Sequence, residues 1–302
     1  MAVFSADSLI TPGVRARLAT LRLRKRRPAG GSGHGMHASR QRGAGLEFAQ
    51  YRAYEPGDEL RQVDWKLYAR SDRFFVREAE RESPLTAWLL IDATASMAQA
   101  DLARPGWSRF DAARALAACT IELALRQNDR FGLAVVGGDG VQVVPAGSGP
   151  RHRDRCLLAL HRLRAHGAWP GAERLRPLWD AIATDALVLL LGDCFDEAAV
   201  ALAERLSAAR REVLAVQLLC ADERDFRFQG GHRFRDPETG DELLGDAAAL
   251  RAGFLARFAD ARAALARRFD AAGIRHATHV LDEPLDAPLR ALFATRAAES
   301  VA

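Results

Sequence analysis

The chain has 302 residues, 49% apolar and 27% charged, an ordinary composition for a folded soluble protein and enough length to bury a core without staples. Its four cysteines, Cys119, Cys156, Cys194 and Cys220, make no C-x-x-C pair, which argues against a zinc site or disulfide framework and fits a reducing compartment. The net charge of +4 hides an asymmetry: residues 1–45 hold nine basic residues and one acidic, and the remainder holds 34 basic and 38 acidic.

No signal-peptide pattern opens the sequence, and its longest apolar runs, such as ALVLLL at 186–191, are too short to span a bilayer, so a cytoplasmic protein is expected. Ile10, Val14, Leu18 and Leu21 share one stripe and predict a helix over about 8–27 that ends in RLRKRR. The basic end reads as a solvated helix terminus. It lacks the interleaved aromatics of a nucleic-acid surface, and binding of nucleic acid or an acidic membrane through it stands as an alternative. The glycine-rich stretch 29–45 predicts a flexible linker without a phosphate-loop pattern, and His34 and His37 on it make a poor metal site. A dense polar block at 46–84 follows, with a turn at EPGDE and alternation in FFVREAERE, expected as a small β-rich extension.

From 85 to 302 strands and helices alternate. Strands are expected at 88–91, 130–137, 141–145, 186–193, 213–219 and 274–281. Helices are expected at about 108–127, 151–166, 174–184, 197–210, 247–272 and 286–297, with a polar insertion at 222–246. The pattern predicts an α/β fold, a doubly wound, mostly parallel Rossmann-like sheet with helices on both faces and VQVV as an antiparallel edge. Three segments result: 1–45, 46–84 and 85–302.

Open sheets of this kind bind ligands beyond the carboxyl ends of their strands. WLLIDATASM at 88–97 closes a buried strand with Asp92, followed by Thr94 and Ser96 at alternate positions, and Asp193 closes the strand ALVLLLGD. With those strands as neighbours, Asp92, Thr94, Ser96 and Asp193 form an all-oxygen set suited to Mg²⁺, Mn²⁺ or Ca²⁺ rather than zinc. The same residues equally read as a helix cap at Thr94 or Ser96, with Asp92 bonded to nearby backbone N–H groups. His152, His161, His166, His276 and His279 pair with no nucleophile signature, so no enzyme is expected. A metal-dependent hydrolase using Asp92 and Asp193 is the enzymatic alternative.

Asp92-x-Thr94-x-Ser96 followed by Met97 resembles the metal-ion-dependent adhesion motif of von Willebrand factor A domains, D-x-[ST]-x-S. The upstream block resembles the signature of the bacterial domain-of-unknown-function family fifty-eight. Glu47, Phe48, Arg52, Tyr54, Pro56, Gly57, Asp58, Arg61, Asp64, Trp65, Ala69, Arg70, Arg77, Glu78 and Glu80 match it. The resemblance implies a von Willebrand A-type fold and a MoxR-type AAA+ ATPase as partner in the assembly or maturation of other proteins, with other von Willebrand A-like proteins as further partners. It makes Arg52, Tyr54, Asp58, Arg61, Asp64, Trp65, Arg70, Arg77, Glu78 and Glu80 the expected partner-binding set. The motif implies a divalent cation, yet Ala172 stands where its threonine belongs, with Glu173 beside it, and GDCFD replaces the usual TDG around Asp193.

Overall fold

The computed structural model describes residues 9–25, 48–55, 63–79 and 84–294. They fall into two compact units, one made of residues up to Arg26 together with those from Leu85 onward, the other of Arg27–Pro84. The division expected at residue 45 is therefore displaced, because Ile10, Val14, Leu18 and Leu23 are buried in the core of the large unit. Each such burial is worth roughly 1.5–3 kcal/mol. The helix there, Pro12–Arg17 (α1), is much shorter than expected: Thr11 caps it, Pro12 takes its first position, and helical structure stops at Leu18. Beyond it, Arg126 donates to the carbonyls of Leu18 and Ala19, and Gln127 exchanges two hydrogen bonds with the backbone of Leu23. Side chains of the body thus satisfy backbone groups that a longer helix would have satisfied internally. Arg17 pairs with buried Asp286 at 2.7 Å, so part of the basic charge is answered within the chain. The linker with His34 and His37 lies outside the described residues.

In the small unit, Phe48–Ala53 (β1) pairs antiparallel with Phe75–Ala79 (β2). Between them lies a helix that the period-2 reading passed over, Trp65–Ser71 (α2). Asp64 caps it, accepting from the N–H groups of Lys66 and Leu67 at 3.0 Å each. The extension is therefore mixed α and β rather than β-rich alone.

The large unit continues with Thr86–Asp92 (β3), Arg109–Arg126 (α3), Arg130–Gly137 (β4), Gly140–Gly147 (β5), Pro150–Arg162 (α4), Arg176–Ala181 (α5), Leu187–Gly192 (β6), Glu197–Ala208 (α6) and Glu212–Leu219 (β7). Ala221–Asp225 (α7), Gly231–Arg235 (β8), Glu242–Asp246 (β9), Ala247–Ala271 (α8), Arg275–Val280 (β10) and Ala287–Phe293 (α9) complete it. Every strand and helix expected from 85 onward is present, and the polar insertion proves to hold α7 and the antiparallel hairpin β8–β9. Six strands form one sheet in the order β10-β7-β6-β3-β4-β5, parallel throughout except at the β5 edge. Numbered within the sheet, this is the doubly wound order 3-2-1-4-5-6, and the order reverses between β3 and β6.

Unbroken apolar runs build this sheet because both of its faces are covered. Leu89, Ile91, Leu133, Leu189, Leu191 and Val216 pack with α3, α4 and α9, while Leu90, Val136, Val188, Leu190 and Ala215 pack with α5, α6 and Phe269 of α8. All four cysteines are free and buried. No helix among the described residues is long and apolar enough to cross a membrane.

His279 on β10 is buried at 1% exposure, and burial pushes its pKa down to about 4 against the weaker pull of Asp282 and Asp286. Its Nδ1 has no hydrogen-bond partner among the described residues. Folded, it stays neutral where the unfolded chain binds a proton, so it favours folding above pH ~6.5 and that contribution is lost as pH falls toward about 4. Denaturant titrations at pH 7 and pH 4 should show His279→Leu losing less stability than the wild type over that interval, by on the order of 3 kcal/mol.

Candidate functional site

The reversal of strand order leaves a crevice at the carboxyl ends of β3 and β6, and the parallel register, with Ile91 opposite Leu191, brings Asp92 and Asp193 to it together. Both are buried, at 2% and 1% exposure. The sheet is tight here: a Cβ on Gly192 would stand 2.9 Å from the Cβ of Asp92.

After Asp92 the chain turns into a 3-10 helix, Ala95–Ala98, with Thr94 at its N-cap position. Thr94 does not cap with its side chain. Its Oγ1 donates to Asp92 Oδ1 at 2.7 Å, its N–H donates to the same oxygen at 2.9 Å, and Ser96 Oγ lies 3.1 Å from Thr94 Oγ1. The three oxygens share one turn, linked in a row from Asp92 through Thr94 to Ser96; of the alternative cap reading, the side-chain cap is absent and the backbone N–H bond to Asp92 is present. The loop after α4 is laced onto the same turn: Ala95 donates to the carbonyl of Gly167 and His166 to that of Ala93. Gly167 takes φ +67° there, and a side chain on it would meet the backbone of Gly138 at 2.6 Å.

Asp193 faces a cation of the chain's own. Arg109, 4% exposed, donates from Nη1 to Asp193 Oδ2 at 2.7 Å and from Nη2 to Glu223 Oε1 at 2.9 Å. Phe195 N–H donates to the other Asp193 oxygen at 3.1 Å, Gln217 donates to the Asp193 carbonyl, and Glu223 also accepts from the N–H of Cys220 at 2.8 Å. Arg109 is the first residue of α3, held there by a capping box between Ser108 and Asp111. A cation at a helix N-terminus opposes the macrodipole, so its position is owed to the carboxylates. Burial works against its charge, but Glu223 and Asp193 outweigh burial and hold its pKa above the ordinary value. Asp92 is pushed up to about 7, first by burial and then by the charge of Asp193, against the hydrogen bonds from Thr94.

A divalent cation of the kind the adhesion motif implies meets half a shell. Asp92, Thr94 and Ser96 supply oxygens close enough to be neighbouring ligands of one ion. Both Asp193 oxygens are already engaged, and parting a buried ion pair costs about 3–5 kcal/mol. Ala172 begins an exposed 3-10 turn and offers no side-chain oxygen, and Glu173 beside it is exposed. Asp196, a spare carboxylate in the sequence, caps α6 through the N–H of Ala198. The donor set does not fit the ion at its second arm.

Sequence reasoning missed Arg109, Glu223 and two exposed apolar side chains, Phe195 at 50% and Leu102 at 67% exposure. Phe195 lies 5.3 Å beneath the Arg109 guanidinium, and Leu102 is tied by its N–H to Asp222 of α7. The signals were an arginine directly after a capping serine in WSRFD and an aromatic in the turn GDCFD. In the signature unit, Asp64 spends its carboxylate on the cap and on the Tyr51 hydroxyl, while Trp65 and Arg70 are exposed and Tyr54 packs near Phe74. Arg52, Arg77 and Glu78 lie on the paired strands; Asp58, Arg61 and Glu80 lie outside the described residues. A half-open groove of about 430 Å³ runs between α1 and the second half of α3, lined by Ile10, Leu18 and Leu123 among others, away from this chemistry.

The family model described as "Protein of unknown function DUF58" matches residues 50–264. The "Uncharacterized protein Rv1480" of Mycobacterium tuberculosis (strain ATCC 25618 / H37Rv) is 30% identical over 245 residues, covering 78% of this chain and 71% of its own length. "Uncharacterized protein Mb1516" of Mycobacterium bovis matches equally. Among solved structures, BatB from Bacteroides thetaiotaomicron is similar at 13% identity with TM-score 0.43, over 69% of this chain and 95% of that one. The SpRpn10 VWA domain is similar at 16% identity with TM-score 0.41, over 68% and 94%.

The close approach of Gly192 to Asp92 carries a direct test. Gly192→Ala forces a methyl against the Asp92 side chain, and urea denaturation should show a loss of about 1–3 kcal/mol, the usual cost of overpacking.

Proposed function

Given that this chain belongs to the DUF58 family of proteins of unknown function, we propose that it is a non-enzymatic protein-interaction module, a cytoplasmic partner or adaptor of a MoxR-type AAA+ ATPase in the assembly or maturation of other proteins. The observation that carries the reading is the pairing, at the switch point of the sheet, of a buried polar centre with two exposed apolar side chains, Phe195 and Leu102. Apolar anchors around a buried polar centre are the anatomy of a protein-binding surface. The signature unit adds a second apolar group, with Trp65 57% and Phe74 45% exposed and Tyr68 stacked on Phe74 at 4.4 Å. Other von Willebrand A-like proteins are a second class of partner; nucleic acid is not proposed.

Chemistry finds little support at the same place. Thr94, the hydroxyl next to Asp92, is 1% exposed and out of reach of a substrate. The contact between Cys156 and His152 at 3.5 Å is no catalytic pair either, since burial pushes the thiol up to about 12 and the His152 ring bonds the carbonyl of Phe131.

Titration calorimetry of the full chain with a purified MoxR-type ATPase should detect binding with Kd of about 10 µM or tighter. The double variant Phe195→Ala/Leu102→Ala should weaken it at least tenfold while leaving the thermal midpoint within about 2 °C. No heat with the wild-type chain at roughly 100 µM of each protein counts against the partner, and an unchanged affinity in the double variant counts against this face.

A further inference from the structure

We infer that the guanidinium of Arg109 is a built-in replacement for a divalent cation, so that the top of the sheet is held together and works without metal. Arg109 stands on the first turn of α3, the helix that follows Asp92 in the chain, and reaches the crevice from one side while β6 delivers Asp193 from the other. Its two terminal nitrogens divide between the carboxylates, Nη1 to Asp193 and Nη2 to Glu223, and leave the buried Nε without a hydrogen-bond partner among the described residues. The side chain is 4% exposed and lies over the Phe195 ring, so it is packed in place rather than swung in from solvent. A fixed cation between two carboxylates offsets one of their two negative charges, where a dication would offset both, and ties the end of β6 to α7.

The remaining donors are arranged to match. With Asp193 committed to Arg109, Asp92 is held by Thr94 alone, whose hydroxyl also lies 3.1 Å from that of Ser96. The position of the missing threonine, Ala172, also has an explanation in these terms, because a shell with no ion needs no third oxygen. This inference concerns only how the crevice is held, and stands or falls separately from the identity of the partner.

The test uses the full chain and Mn²⁺ alone, followed by loss of the free-ion electron paramagnetic resonance signal. The wild type should take up no Mn²⁺ at about 1 mM, and its thermal midpoint should be the same in EDTA and in MnCl₂. Arg109→Gln leaves Asp193 and Glu223 without their cation, so it should bind one Mn²⁺ at least tenfold more tightly than the wild type, and adding Asp193→Asn should abolish the uptake. Uptake of one Mn²⁺ by the wild type that Asp92→Asn removes would overturn the inference. So would a folded Arg109→Gln that binds none. Should Arg109→Gln fail to fold, the wild-type uptake and its response to Asp92→Asn decide the matter alone.

Discussion

Parallel pairing of β3 with β6 carries Asp92 and Asp193 to the same end of a sheet buried on both faces. Two carboxylates so placed repel each other and lose hydration, and each needs an answer from the protein. Asp92 is met by two hydrogen bonds from Thr94, and Asp193 by a buried guanidinium and a backbone N–H. The rest of the crevice follows. Glu223 completes the second arm of Arg109, its own position set by the capping of α7 at Cys220, and Gln217 pins the carbonyl of Asp193.

The chain of causes runs from a short sequence signal to a surface. Ser108 and Asp111 fix where α3 begins, and that register puts Arg109 rather than a neighbour at the crevice. Arg109 fixes Asp193, and the turn after Asp193 passes through Cys194 at φ +58°, an uncommon conformation for a residue with a side chain. That turn delivers Phe195 to the outside, beneath the guanidinium, where an aromatic ring half in solvent is placed to serve as the proposed anchor for another protein. A buried electrostatic solution and an exposed apolar group are thus parts of one arrangement.

Much of this was legible in the sequence, for reasons specific to each element. Strands covered on both faces, such as Leu187–Gly192, announce themselves as continuous apolar runs, and the alternation with helices gives the doubly wound class. The strand-end position of Asp92 and Asp193 followed from the same pattern. The pairing of Arg109 with Asp193 and Glu223 did not, because it spans 84 and 114 residues of sequence and no local period records such a contact. The helix Trp65–Ser71 was hidden by its brevity and by aromatic residues that also suit strands, although Asp64 before it was a readable cap. The first helix was overextended because apolar spacing persists to Leu21 and Leu23 after the backbone has stopped being helical and has turned to Arg126 and Gln127 for its hydrogen bonds.

An arginine of this chain, not a metal ion, answers the charge of Asp193 at the sheet top. An anomalous difference map from a crystal of the full chain grown in excess MnCl₂ should show no peak between Asp92 and Asp193, with Arg109 in contact with Asp193 and Glu223. A peak within about 2.5 Å of the Thr94 and Ser96 hydroxyl oxygens, with the guanidinium displaced from Asp193, would contradict it.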